Sequence, residues 1–260
     1  MTTMFGMPIW YDLMTTDTAA AARFYGDVVG WTTSRMDAPG DYTLWHAEDG
    51  AGVGGMMALP EGMPAGPGWS VYFHVADVDA TIVAVETAGG SVVMPPQDVP
   101  GAGRFAMVAD PQGVTCYVMT PKPAEPGETV SFSPTLPQRC AWNELVTTDQ
   151  HAALPFYAAV FGWTSTSAMP MGEMGDYSFI DCGDVQIGAM MNRQSPDQPT
   201  RWSFYFHIAD VDAAMATITA GGGQVVMGPM DVPGGQRIIV AIDPQGASVG
   251  FVSGDAADGG

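Results

Sequence analysis

Basic side chains are scarce. Eight Lys and Arg stand against 28 Asp and Glu in 260 residues, a formal net charge of −20. So negative a surface repels phosphate backbones and anionic lipid, so neither nucleic acid nor a membrane is an expected partner. Cysteine is nearly absent too. Cys116, Cys140 and Cys182 are odd in number and show no Cys-x-x-Cys spacing. That excludes a disulfide framework and fits a reducing, cytoplasmic setting. No run of 18 apolar residues occurs, so no membrane span is expected. Met1 to Trp10 has neither the basic nor the apolar region of a signal peptide. The four histidines, His46, His74, His151 and His207, form no close pair, which leaves few imidazoles for a transition metal. What is plentiful is apolar: 47% hydrophobic against 14% charged residues, a globular composition despite 33 Gly and 21 Pro.

The chain is written twice. Trp69 to Asp79 reads WSVYFHVADVD and Trp202 to Asp212 reads WSFYFHIADVD, nine of eleven residues identical at an offset of 133. Trp10, Asp17, Tyr25 and Trp31 return as Trp142, Asp149, Tyr157 and Trp163. Asp41-Tyr42 returns as Asp176-Tyr177 after a three-residue insertion, and the turn Asp110-Pro111-Gln112-Gly113 as Asp243 to Gly246. Duplication on this scale implies two domains of ordinary size. Residues 1–121 form the first, 122–137 a Pro-rich linker, and 138–254 the second, with a small acidic tail expected to fray.

Within each domain the pattern strand, helix, strand, strand, strand occurs twice. In the first module, residues 8–15 read as a strand. Asp17 caps a helix from Ala19 to Val29 that Gly30 ends. Strands follow at 31–36, 42–47 and 53–59, with a turn at Asp37 to Gly40 and a bulge risk at Gly54-Gly55. After the loop from Pro60 to Pro67, a strand at 69–76, an Asp77-capped helix at 78–88 and strands at 92–94, 105–109 and 115–119 repeat the order.

This order, with Thr16-Asp17, Phe24-Tyr25, Gly30-Trp31 and the Asp-Pro-Gln-Gly turn before a last strand, resembles the vicinal oxygen chelate superfamily. Phe156-Tyr157 and Gly162-Trp163 carry the same resemblance in the second copy. Glyoxalase I, bleomycin-resistance proteins, fosfomycin-resistance enzymes and extradiol dioxygenases share it. The resemblance implies an α+β fold: two tandem domains, each of two paired βαβββ modules forming a curved, cleft-bearing mixed sheet. It leaves open a monomer or a homodimer.

Strand alternation then says which residues line such a cleft. Ser70, Tyr72 and His74 oppose the apolar Val71, Phe73 and Val75, and Ser203, Tyr205 and His207 oppose Phe204, Phe206 and Ile208. Trp10 and Asp12 share a face, as do Trp142 and Glu144. Tyr117 and Met107 also point inward. Trp10, Tyr72, Met107, Tyr117, Trp142 and Tyr205 are therefore the candidate ligand-binding residues, each with core filling as the alternative. Asp12 or Glu144 is the candidate base and His74 or His207 its partner, the alternative being structural hydrogen bonding at strand positions.

The resemblance also implies a divalent metal held by His, Gln and Glu on these strands. Carried over, those positions fall at Trp10, Ser70, Tyr117 and the stretch Gly54 to Met56, then at Trp142, Ser203, Gly250 and Gly188 to Met190. These are not strong ligands, so no metal and no cofactor is expected. The expected function is metal-independent binding of a small hydrophobic or aromatic molecule, a form of sequestration or resistance. The alternative is a metal-free acid/base enzyme of natural-product metabolism, a lyase, isomerase or cyclase. A metal-dependent glyoxalase I-like lyase or dioxygenase is the reading the missing ligands oppose.

Overall fold

The computed structural model describes residues 5–36, 41–60, 66–122 and 130–254. The expected turn from Asp37 to Gly40, most of the loop after Pro60, the linker residues 123–129 and the tail beyond residue 254 lie outside the described residues. The first copy runs β1 (Pro8–Thr15), α1 (Thr18–Val29), β2 (Thr32–Arg35), β3 (Thr43–His46), β4 (Gly52–Ala58), β5 (Gly68–His74), α2 (Val78–Thr87), β6 (Ser91–Val99), β7 (Gly103–Ala109) and β8 (Thr115–Pro121). The second runs β9 (Cys140–Thr147), α3 (Gln150–Phe161), β10 (Ala168–Pro170), β11 (Asp176–Cys182), β12 (Val185–Asn192), β13 (Arg201–His207), α4 (Val211–Ala220), β14 (Gln224–Asp231), β15 (Arg237–Ile242) and β16 (Ser248–Ser253). A short 3-10 turn at Gly172–Met174 takes up the three-residue insertion.

All four helices start as the sequence predicts. Asp17, Asp77, Asp149 and Asp210 each sit in extended backbone and accept from amides of the first turn. Gly30 and Gly162 end α1 and α3 in the left-handed conformation. The strands form two open, mixed, eight-stranded sheets, ordered β2-β3-β4-β1-β5-β8-β7-β6 and β10-β11-β12-β9-β13-β16-β15-β14. The result is the α+β, two-domain arrangement expected. β6 runs well past the three residues anticipated, because Pro95 and Pro96 sit in an edge strand whose register shifts around them.

By packing, the chain divides into two compact units that cut across the repeat. One takes residues 1–9, 71–128 and 143–202; the other takes 10–70, 129–142 and 203–260. In the first unit α2 packs on α3. Phe73 is fully buried and meets Phe161, Trp163 and Trp202. Tyr157 Oη donates to Asp110 Oδ2 at 3.0 Å, while Asp110 Oδ1 accepts from the amides of Gln112 and Val114. The turn aspartate thus serves its own hairpin and a helix of the other repeat.

The second unit mirrors this. α1 packs on α4, Phe206 meets Trp31 and Trp69, and Tyr25 Oη donates to Asp243 Oδ2 at 3.0 Å. Trp69 Nε1 donates to the same hydroxyl. The apolar faces read from strand alternation are therefore the ones that meet helices, and Trp31, Trp45, Trp69, Trp163 and Trp202 belong to this core. The end of the linker packs as well: Phe132 is buried and bridges to Cys140.

Candidate functional site

The carboxylate on β1 is the best-defined polar group off the helix side. Asp12 is 3% exposed. Tyr42, just before β3, donates its hydroxyl to Asp12 Oδ1 at 2.5 Å. Trp10 Nε1 donates to the Tyr42 oxygen at 2.7 Å and to Asp12 Oδ1 at 3.0 Å. Strand order explains the reach: β4 lies between β1 and β3, and Asp12 is in register with Gly55 of β4. Tyr42 crosses β4 over that glycine to arrive at β1. Burial, and then the Asp12 charge, raise the Tyr42 phenol far above its ordinary range, so it keeps its proton and acts as a donor.

The second copy repeats the contact. Tyr177 Oη donates to Glu144 Oε2 at 2.9 Å. Trp142, like Ile238 and Val240, packs against a buried cluster of Ala141, Tyr205 and Val252. On β5 and β8, Tyr72 and Tyr117 are register partners whose rings stack at 4.3 Å and 8°. Phe105 tilts against both, and Met107 is opposite Tyr117. The corresponding pair in the other unit is Tyr205 and Gly250. A Cβ at Gly250 would stand 2.4 Å from Tyr205 Cδ1, so that ring lies on β16 only because residue 250 has no side chain.

The histidines go elsewhere. His74 lies tilted against Phe5 at 5.1 Å and borders a pocket of about 270 Å³ lined also by Asp77, Ala80, Thr81 and Phe161. Its Nδ1 is buried without a hydrogen-bond partner. His207 Nε2 lies 3.1 Å from the Gly254 carbonyl oxygen. The partner that the geometry gives each carboxylate is a tyrosine. Sequence reasoning passed over Tyr42 and Tyr177, although their recurrence behind Asp41 and Asp176 was visible.

Two of the positions carried over for the family's metal, Trp10 and Gly250, offer no ligand atom. The one polar atom of the Trp10 side chain is an N–H, which cannot ligate, and it is engaged by Tyr42 and Asp12. Gly250 offers no donor and its side-chain space is filled by Tyr205. Among the described residues, no group of three or more His, Cys, Asp or Glu could hold a metal ion. No described helix is long and apolar enough to cross a membrane.

Comparison with known proteins agrees with this architecture. CFP32 of Mycobacterium tuberculosis (strain CDC 1551 / Oshkosh), which is named a glyoxylase, is 37% identical over 246 residues, covering 93% of this chain and 92% of its own. Anthracycline biosynthesis protein DauV of Streptomyces sp. (strain C5) is 34% identical over 262 residues, 95% of this chain and 93% of that one. The Mn(II)-bound glyoxalase from Novosphingobium aromaticivorans superposes with a TM-score of 0.67 at 18% identity, over 96% of this chain and 82% of that chain. At such identity the likeness speaks for the fold alone. The family described as Glyoxalase/Bleomycin resistance protein/Dioxygenase superfamily matches residues 8–117 and again 139–251. With both repeats matched and two relatives aligned over nearly the whole chain, this protein belongs to that superfamily.

Proposed function

We propose that the protein binds a small, planar aromatic molecule and acts on it by metal-independent acid/base chemistry, with Asp12 as the proton acceptor. The observation that carries this reading is the part-buried carboxylate–phenol contact, present as Asp12–Tyr42 and again as Glu144–Tyr177. Two donors converge on Asp12 Oδ1, which fixes the carboxylate in the orientation a general base needs. Tyr42 holds that carboxylate in place with its single O–H. The name of DauV places that relative in anthracycline biosynthesis, and a polycyclic phenolic ketone of that kind offers an acidic proton for the carboxylate to take.

Sequestration without turnover is the second reading. It is favoured by the stacked Tyr72–Tyr117 pair with Phe105, rings able to hold a flat ligand whether or not it reacts. The test is a hydroxyanthraquinone titrated against tryptophan fluorescence, with the ligand recovered and analysed for conversion. Asp12→Asn and Tyr42→Phe should each weaken binding or slow conversion at least tenfold, and chelators should leave both unchanged. Wild-type behaviour in Asp12→Asn would sink the acid/base reading. Binding with no conversion would favour sequestration. Loss of activity on chelation would return the metal to the site.

A further inference from the structure

The two copies build one contact in two ways. In the first, Asp12 pairs in register with Gly55. A Cβ on Gly55 would fall 2.0 Å from Tyr42 Oη and 2.1 Å from Cζ, far inside contact distance. Gly55 has no left-handed backbone that would demand glycine, so the demand is space for the phenol alone. In the second copy the register partner of Glu144 is Ala189, fully buried. There a methyl group stands where the first copy has none, the phenol is Tyr177, and the carboxylate that meets it carries one more methylene. Small residue with short acid, larger residue with long acid: the strand opposite the acid sets how closely the tyrosine can lie, and the acid's length matches it.

We infer that Gly55 and Ala189 are positioning residues, each setting the height of its tyrosine above β4 or β12 and thereby which carboxylate, Asp or Glu, can hold it. The inference rests on the proposed role of Asp12, but its test needs no ligand. The two copies then present their acids at different depths, so a ligand that fits one carboxylate is a methylene out of reach of the other.

The experiment uses the full chain with 13Cζ-labelled tyrosine and follows each phenol by NMR as a function of pH. Tyr42→Phe and Tyr177→Phe identify the two resonances. In the wild type, Tyr42 should not titrate near the free phenol's value of about 10 and should keep its proton until the chain unfolds. In Gly55→Ala the displaced ring should titrate within roughly one unit of that value, and Gly55→Ala with Asp12→Glu should silence it again. A Tyr42 titration unchanged in Gly55→Ala overturns the inference, as does a double variant that fails to restore it. Should Gly55→Ala not fold, the reverse pair serves, since it only removes atoms. Glu144→Asp should shift the Tyr177 titration, and Glu144→Asp with Ala189→Gly should return it to wild type. A shift that Ala189→Gly does not reverse refutes the inference. If the phenols respond as expected while hydroxyanthraquinone binding is indifferent to every variant, the positioning stands and the proposed ligand site falls.

Discussion

Raising the pH should unfold this protein early, and the reason lies in its core. Burial pushes the Cys140 thiol up to about 12, against hydrogen bonds that pull it back. Burial, then the Asp110 charge, raise Cys116 still further. Tyr25, Tyr42 and Tyr157 are raised in the same way, by burial first and then by Asp243, Asp12 and Asp110. In the unfolded chain the thiols release protons near about pH 8.5 and the phenols near about pH 10. Each folded value lies above its unfolded one, so the associated stability is complete below about pH 8.5 and is lost as pH rises. Each group costs about 1.4 kcal/mol per pH unit beyond its unfolded value. The two thiols and three phenols together remove about 4–5 kcal/mol by about pH 10 and about 10 kcal/mol by about pH 11. Total stability for a protein of this kind is about 5–15 kcal/mol, so the alkaline midpoint should fall at or before about pH 11. Cys182, pushed up to about 11 by burial, adds to the loss. The assay is urea unfolding followed by tryptophan fluorescence at several pH values. In Cys116→Ala with Cys140→Ala, the slope of stability between about pH 9 and pH 10 should drop by roughly half, since the third thiol and the phenols carry the rest. Stability that stays flat from about pH 8 to pH 10.5, or a double variant that keeps the full slope, would refute the reasoning.

Further outcomes follow from the same contacts. Tyr157→Phe leaves Asp110 Oδ2 without its phenol donor, a loss of about 1.5–3 kcal/mol for a bond to a charged acceptor. A thermal melt should show this as a fall of about 4–8 °C. Tyr25→Phe should cost as much through Asp243, and the two should add, because they share no partner; a strongly non-additive double variant would show that the two locks are coupled. Gly250→Ala places a Cβ against the Tyr205 ring and should destabilise by about 1–3 kcal/mol, measured by denaturant midpoint. An unchanged midpoint would mean that the ring lifts off β16 without cost.

The helix starts, the strand faces and the duplication were legible because each is written in neighbouring residues. A capping aspartate acts on amides two or three positions on, and alternation assigns a face one residue at a time. Asp110 was legible as a turn residue for the same reason: its Oδ1 partners are Gln112 and Val114. Its Oδ2 partner, Tyr157, lies 47 residues away in the other repeat, and no local pattern points there. The histidines show the limit of alternation. It put His74 on the polar face of its strand, but could not show that the ring tilts against Phe5 and borders a pocket lined by helix α2.

By itself the sequence determined that this is one α+β domain written twice, and where its helices begin. Only the tertiary structure decided which tyrosine meets which carboxylate and which helices pair. Those contacts depend on register across a sheet and on the space above a single glycine. Such quantities arise when strands distant in the chain are laid side by side, and no stretch of sequence contains them.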